Sequence, residues 1–128
     1  MMQNDRHSHD PLVNVEQLRL ALETFAEERD WRQFHSPKNL VMALTGEVGE
    51  LTEIFQWMSE DDSREAGRKT DTAGKVRQEI ADVLLYLVRL ADILGVDLNQ
   101  AAIDKLALNA QKYPADKFRG SARKYDHE

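Results

Sequence analysis

The chain has 128 residues, a formal net charge of −6 and no cysteine, which is long enough for one hydrophobic core and excludes disulfides and thiolate metal sites. The acidic balance argues against a dedicated nucleic-acid or membrane surface. No apolar run reaches membrane-spanning length, and Met1 to Asp10 is polar with no apolar leader core, so a cytoplasmic location is expected.

A first helix is expected from Asn14, where Asn14-x-x-Gln17 reads as a capping box, with Val15, Leu18, Leu22 and Phe25 as its apolar stripe. Asp30 to His35 makes a short link. Ser36-Pro37 reads as an N-cap with proline at the first helical position, opening a second helix to about Met58. Its seam is Leu40, Leu44, Val48, Leu51, Phe55 and Met58. Residues 59–74 are polar and glycine-containing, and a mobile loop is expected there. The third helix, the most apolar, starts near Thr72 to Lys75 and stops at Gly95, a C′ glycine. Apolar positions on both of its flanks suggest packing between chains. A fourth helix runs from the capping box Asp97-x-x-Gln100 to just before Pro114. The expected fold is therefore all-α: an oligomeric four-helix bundle forming a single domain over residues 1–128, with 1–11 and 115–128 as flexible tails.

Two acidic runs interrupt the apolar pattern, Gly46-Glu47-Val48-Gly49-Glu50 and Glu79-Ile80-Ala81-Asp82. Each places two carboxylates three residues apart, which on a helix is about 60° of arc, so the members of a pair point the same way. A lone glutamate on a helix is most often a solvated residue. That reading fails for Glu47, which occupies a core position, and it sits poorly with two pairs of identical spacing beside two apolar seams. Buried acids need a cationic partner. An oxygen-only ligand set of Glu47, Glu50, Glu79 and Asp82 suits a hard cation, Mg²⁺ or Mn²⁺, rather than zinc. Such a site commonly serves phosphate chemistry.

These acids fall within a longer ordered set: Glu27-Glu28-Arg29-Asp30-Trp31, Gln33-Phe34-His35, Pro37 to Leu40, Gly46 to Leu51 with Phe55-Gln56-Trp57, Glu79 to Leu84 with Tyr86-Leu87, Val96-Asp97-Leu98, Lys105, Asn109 and Lys112-Tyr113-Pro114. In that set the chain resembles the MazG-like superfamily of all-α nucleoside triphosphate pyrophosphohydrolases, and within it the dCTP pyrophosphatase group, over roughly residues 12 to 125. The resemblance implies Mg²⁺-dependent hydrolysis between the α- and β-phosphates, giving a nucleoside monophosphate and pyrophosphate. It implies metal-binding and catalytic roles for Glu47, Glu50, Glu79 and Asp82. It also implies base or sugar contacts at Trp31, Trp57 and Tyr86, a pocket role for His35, and phosphate or sugar contacts at Lys105, Asn109 and Tyr113. A homodimer or homotetramer with sites near subunit contacts is implied as well. Gly46 stands where many MazG-like proteins carry an acid, a glycine shared by the dCTP pyrophosphatase group. Leu22 stands where vertebrate members of that group have a histidine.

Physical grounds supplement these roles unevenly. Trp57 lies on the carboxylate side of the second helix, and a flat indole can stack a base; both tryptophans also read as core aromatics. Lys105, Asn109 and Lys112 form a polar stripe that also reads as a solvated face. His35 reads equally as a cap of the second helix. The basic segment Lys117 to Lys124 reads as a solvated tail or a cover over bound triphosphate. Two alternatives stay open at this stage: a pyrophosphohydrolase of other or broad nucleotide specificity, including modified nucleotides, and a non-catalytic helical interaction module.

Overall fold

The structure, a computed structural model, describes residues 10–123, and every regular element among them is helical. The expected tail residues 1–9 and 124–128 lie outside the described residues. Two compact units form, one of residues 15–96 and one that takes in residues 10–14 and 97–123.

The first unit contains α1 (Glu16–Glu28), a 3₁₀ turn (Arg32–Phe34), α2 (Pro37–Phe55), α3 (Glu60–Arg64) and α4 (Thr70–Leu94). Helix α2 opens as its sequence dictates: Ser36 Oγ accepts the Asn39 N–H at 3.1 Å, and Pro37 fills the first helical position. Helix α1 starts one residue later than the capping box at Asn14 leads one to expect. Val15 is the N-cap of α1 and has no side-chain acceptor, and Glu16 instead pairs with Arg19 at 2.5 Å one turn on.

The expected loop at 59–74 is also partly helical. Ser59 Oγ accepts the Asp62 N–H at 3.1 Å, while Glu60, Asp61 and Asp62 fill the first turn of α3, where carboxylates favour the positive end of the helix dipole. Ala66 is buried, and its carbonyl accepts the Thr72 hydroxyl at 2.6 Å, so α4 begins at Thr70. At the other end of α4, Gly95 takes the left-handed conformation (φ +70°). The Val96 N–H reaches the Ala91 carbonyl at 2.8 Å and the Gly95 N–H reaches that of Asp92 at 3.1 Å, a Schellman closure.

Helix α4 is the axis of this unit and packs along α2 and against α1. Arg19 meets Asp92 at 3.3 Å and Glu23 meets Arg89, so α1 runs antiparallel to α4. His35 meets Arg89 while Glu47 and Glu50 meet Glu79, so α2 is antiparallel to α4 as well. Leu40 and Val88 are the largest fully buried side chains, and Ala26, Val76 and Ala91 are buried as well. Much of the apolar face of α4 is left open: Ile80, Leu84, Leu87, Ile93 and Leu94 are all exposed.

In the second unit, α5 (Leu98–Lys112) is capped by Asp97, whose carboxylate accepts the Gln100 N–H at 3.0 Å. The Gln100 side chain turns to Asp104 at 2.9 Å, so only half of the box is made. Asn99 Oδ1 accepts the N–H groups of Leu12 and Val13 at 2.8 and 3.0 Å. A short α6 (Ala115–Phe118) occupies part of the expected C-terminal tail.

Two glycines on α4 should respond oppositely to alanine. Gly95→Ala places a Cβ in the left-handed region and should lower unfolding free energy by about 1–2 kcal/mol. Gly74→Ala lies inside the helix, where a Cβ meets nothing within 4 Å, and should raise it by about 0.5–1 kcal/mol. Urea titrations of the two variants measure both signs.

Candidate active site

Antiparallel packing of α2 on α4 brings the two acidic runs together. Carboxylate oxygens of Glu47, Glu50 and Glu79 lie within 4.8 Å of one another, a metal-sized cluster among the described residues. Glu79 is 7% exposed and Glu47 half-buried, while Glu50 is exposed at the rim. One oxygen each of Glu47 and Glu79 is buried with no hydrogen-bond partner among the described residues. Asp82 is outside the trio. It follows Glu79 by one helical turn, lines the neighbouring cavity, and its charge acts on both Glu47 and Glu79.

Protonation follows from this crowding. Burial, the Glu79 carboxyl and the charges of Glu50 and Asp82 push Glu47 up to about 7. Burial and the Glu50 carboxylate also raise Glu79. Partnerless buried oxygens, oxygen-only donors and mutual repulsion together fit a hard divalent cation.

Beside Asp82 opens a cavity of about 160 Å³ lined by Leu22, Phe25, Trp31, His35, Leu40, Leu85, Tyr86 and Arg89. Three of the residues singled out as substrate contacts, Trp31, His35 and Tyr86, therefore share one wall system with Asp82. Trp31 stands edge-on to Phe25 with ring centroids 5.7 Å apart. The His35 ring accepts at Nδ1 from Arg89 Nε at 3.0 Å, and burial, with the Arg89 charge, lowers its pKa.

Trp57 is not in that wall. Helix α2 ends at Phe55, so the helical-wheel position of Trp57 does not apply, and its side chain is 89% exposed. Lys105, Asn109 and Tyr113 recur every four residues along α5 and its C-cap, in the second unit. Tyr113 packs edge-on against Phe118 at 5.0 Å.

Sequence reasoning missed the charged group behind the cavity. Arg89 is 3% exposed, donates to Glu23 through Nη1 and lies 3.6 Å from Asp92, while Arg32 holds the other Glu23 oxygen at 2.9 Å. The available signal was a lone arginine inside the apolar run Leu85-Tyr86-Leu87-Val88-Arg89-Leu90.

An all-helical chain with oxygen ligands gathered between two helices, and an aromatic cavity beside them, defines a class of carboxylate-site proteins. The comparisons specify it. The MazG-like family profile matches residues 43–127. Human dCTP pyrophosphatase 1 is 44% identical over 120 residues, covering 94% of this chain and 71% of the human protein. The mouse protein of the same name is 47% identical over 115 residues, covering 90% of this chain and 68% of its own length. Among solved structures, a pyrophosphatase from Archaeoglobus fulgidus superposes with a TM-score of 0.73 at 39% identity, covering 83% of this chain and 97% of the archaeal one. The chain belongs to the MazG-like family.

The raised Glu47 pKa makes a signed prediction. The folded state holds a proton that the unfolded state releases above about pH 4.5, so the metal-free protein should lose stability as pH rises toward 7. Glu47→Gln should therefore raise the metal-free melting temperature at pH 7.5 and leave it nearly unchanged at pH 4.5. Thermal melts in chelator at the two pH values check this.

Proposed function

We propose that the chain is a metal-dependent nucleoside triphosphate pyrophosphohydrolase that converts dCTP and water to dCMP and pyrophosphate in the cytoplasm. The reading is carried by the Glu47–Glu50–Glu79 cluster beside an aromatic cavity, and supported by similarity to proteins named dCTP pyrophosphatase 1. A triphosphate approaches such an acidic centre only with cations. Glu47, Glu50 and Glu79, with Asp82 one turn along α4, would hold Mg²⁺, or Mn²⁺ in its place. The bound cation supplies charge neutralisation for the phosphate oxygens and Lewis acidity.

The remaining work falls to the chain. Glu50, exposed at the rim, orients the water that attacks the α-phosphorus and takes its proton. The bond from the α-phosphorus to the bridging oxygen breaks, and pyrophosphate leaves with that oxygen. Trp31 and Tyr86 hold the base in the cavity, which fixes the α-phosphorus relative to the acids. The exposed apolar residues on α4, with Val48 on α2, support a homodimer or homotetramer, because contiguous apolar surface of this kind favours association.

Purified protein with Mg²⁺ should turn dCTP into dCMP and pyrophosphate, read by ion-exchange chromatography of the products. Orthophosphate and dCDP as the first products would contradict attack at the α-phosphorus. No turnover across a panel of canonical and modified nucleoside triphosphates would support the non-catalytic reading instead. Asp82→Asn and Glu79→Gln should abolish turnover while keeping a cooperative melt, since each removes a charge and preserves volume. Light scattering during size-exclusion chromatography should give a mass of at least twice the 14.7 kDa chain; a monomer would rule out the oligomer.

A further inference from the structure

The connector between α1 and α2 supplies two residues of the cavity wall, Trp31 and His35, yet none of residues 29–36 is buried. Burial therefore does little to fix its path, and polar contacts carry that task. Helix α1 closes on Asp30, whose φ of +54° lies in the left-handed region. The Asp30 N–H reaches the Glu27 carbonyl at 3.1 Å and the Trp31 N–H reaches that of Ala26 at 2.9 Å, the same Schellman closure that ends α4. At α4 the left-handed position belongs to Gly95, which adopts it without steric cost. At α1 it belongs to an aspartate, the one non-glycine with positive φ among the described residues. Its side chain is engaged: Gln33 Nε2 donates to Asp30 Oδ2 at 3.1 Å and to the Asp30 carbonyl at 3.0 Å. The Phe34 N–H reaches the Trp31 carbonyl at 2.9 Å, and Asn39 Nδ2 ties the Phe34 carbonyl to the first turn of α2 at 3.0 Å. Both peptide groups of Trp31 are thus pinned, inside a loop that Gln33 shuts.

We propose that Asp30 and Gln33 are positioning residues, and that the clamp between them holds Trp31 at the angle that receives the base; the inference rests on the dCTP reading above. Helix termination alone is met better by glycine, which carries no Cβ into the left-handed region. Aspartate accepts that cost and adds an acceptor, and Gln33 holds that acceptor. Backbone strain of this kind persists where the surroundings over-determine it, and it gathers at ligand sites. Neither side chain lines the cavity, so both act through Trp31. The indole has a second support in Phe25, edge-on at 5.7 Å, whose own ring carries the Arg29 guanidinium 3.5 Å from its centre. The clamp fixes the backbone that bears the indole, and Phe25 supports the ring itself.

The test separates positioning from helix capping, using the full-length protein with dCTP and Mg²⁺. Asp30→Gly removes the steric cost and the side-chain acceptor together. Its melting temperature should equal or exceed that of wild type. Its KM should rise about five- to tenfold with kcat changed less than about twofold, the low end of the roughly 5- to 150-fold that a base stack is worth. Gln33→Leu breaks the clamp from the other side and should raise KM by a similar factor. The double variant should add little, because both changes remove one interaction. Asp30→Asn keeps an acceptor and tolerates the left-handed region, so its KM should stay near that of wild type. With Trp57→Phe as background, Trp31 is the one remaining tryptophan, and time-resolved fluorescence anisotropy should show faster indole motion in Asp30→Gly and Gln33→Leu. Unchanged KM in both single variants would overturn the proposal and leave the pyrophosphohydrolase reading standing. A rise in KM found only together with a lower melting temperature would overturn it too, since a purely structural role gives that pattern. If wild type turns over no nucleotide, the dCTP reading fails, and unchanged indole motion in the two variants would then overturn the clamp as well.

Discussion

Repulsion among carboxylates governs how this chain is built. Glu47, Glu50 and Glu79 bring oxygens within 4.8 Å of one another, and at such separations two unit charges repel by several kcal/mol even at an effective dielectric of about 20. Helices kept in register only for stability would have apolar side chains at these positions. The packing of α2 on α4 holds the acids together against that force, and the proton retained by Glu47 relieves part of it in the metal-free protein. Strain of this kind is characteristic of a site whose ligand is its missing counter-charge.

What could be read from the sequence was mainly local chemistry. Ser36-Pro37, Gly95 and Asp97 each determine a helix end through one hydrogen bond or one backbone conformation, and each does so in the structure. The acidic pairs were visible because their spacing conflicts with an apolar stripe. Contacts that depend on register between distant helices were hidden. The Arg89–Glu23 pair joins residues 66 positions apart, and no spacing rule within one helix points to it. Helix α3 was missed because caps and dipole, rather than apolar periodicity, hold it. The second helix ends at Phe55 rather than near Met58, so Trp57 lies beyond the helical periodicity that sets it beside the acids.

The same helix that presents the acids leaves apolar side chains uncovered: Ile80, Leu84, Leu87 and Leu94 remain open, although α1 and α2 pack against it. The core available to one copy is correspondingly small, built largely from alanine and valine around Leu40 and Val88. In the oligomer proposed above, folding and association would be thermodynamically linked, with stability rising with protein concentration.

Helix α4 also works as a ruler. Ten residues separate Glu79 from Arg89, about 15 Å along the axis at 1.5 Å per residue, so one rigid element sets both the distance and the angle between the acids and the base-sized cavity. Inserting a single residue between them would lengthen the gap by only about 1.5 Å but would swing one cluster about 100° around the helix, away from its partners. The connection from Gln56 to Lys69 carries no such metric. Related chains can thus differ in length between α2 and α4 and keep the site, whereas the interval within α4 admits no change in length.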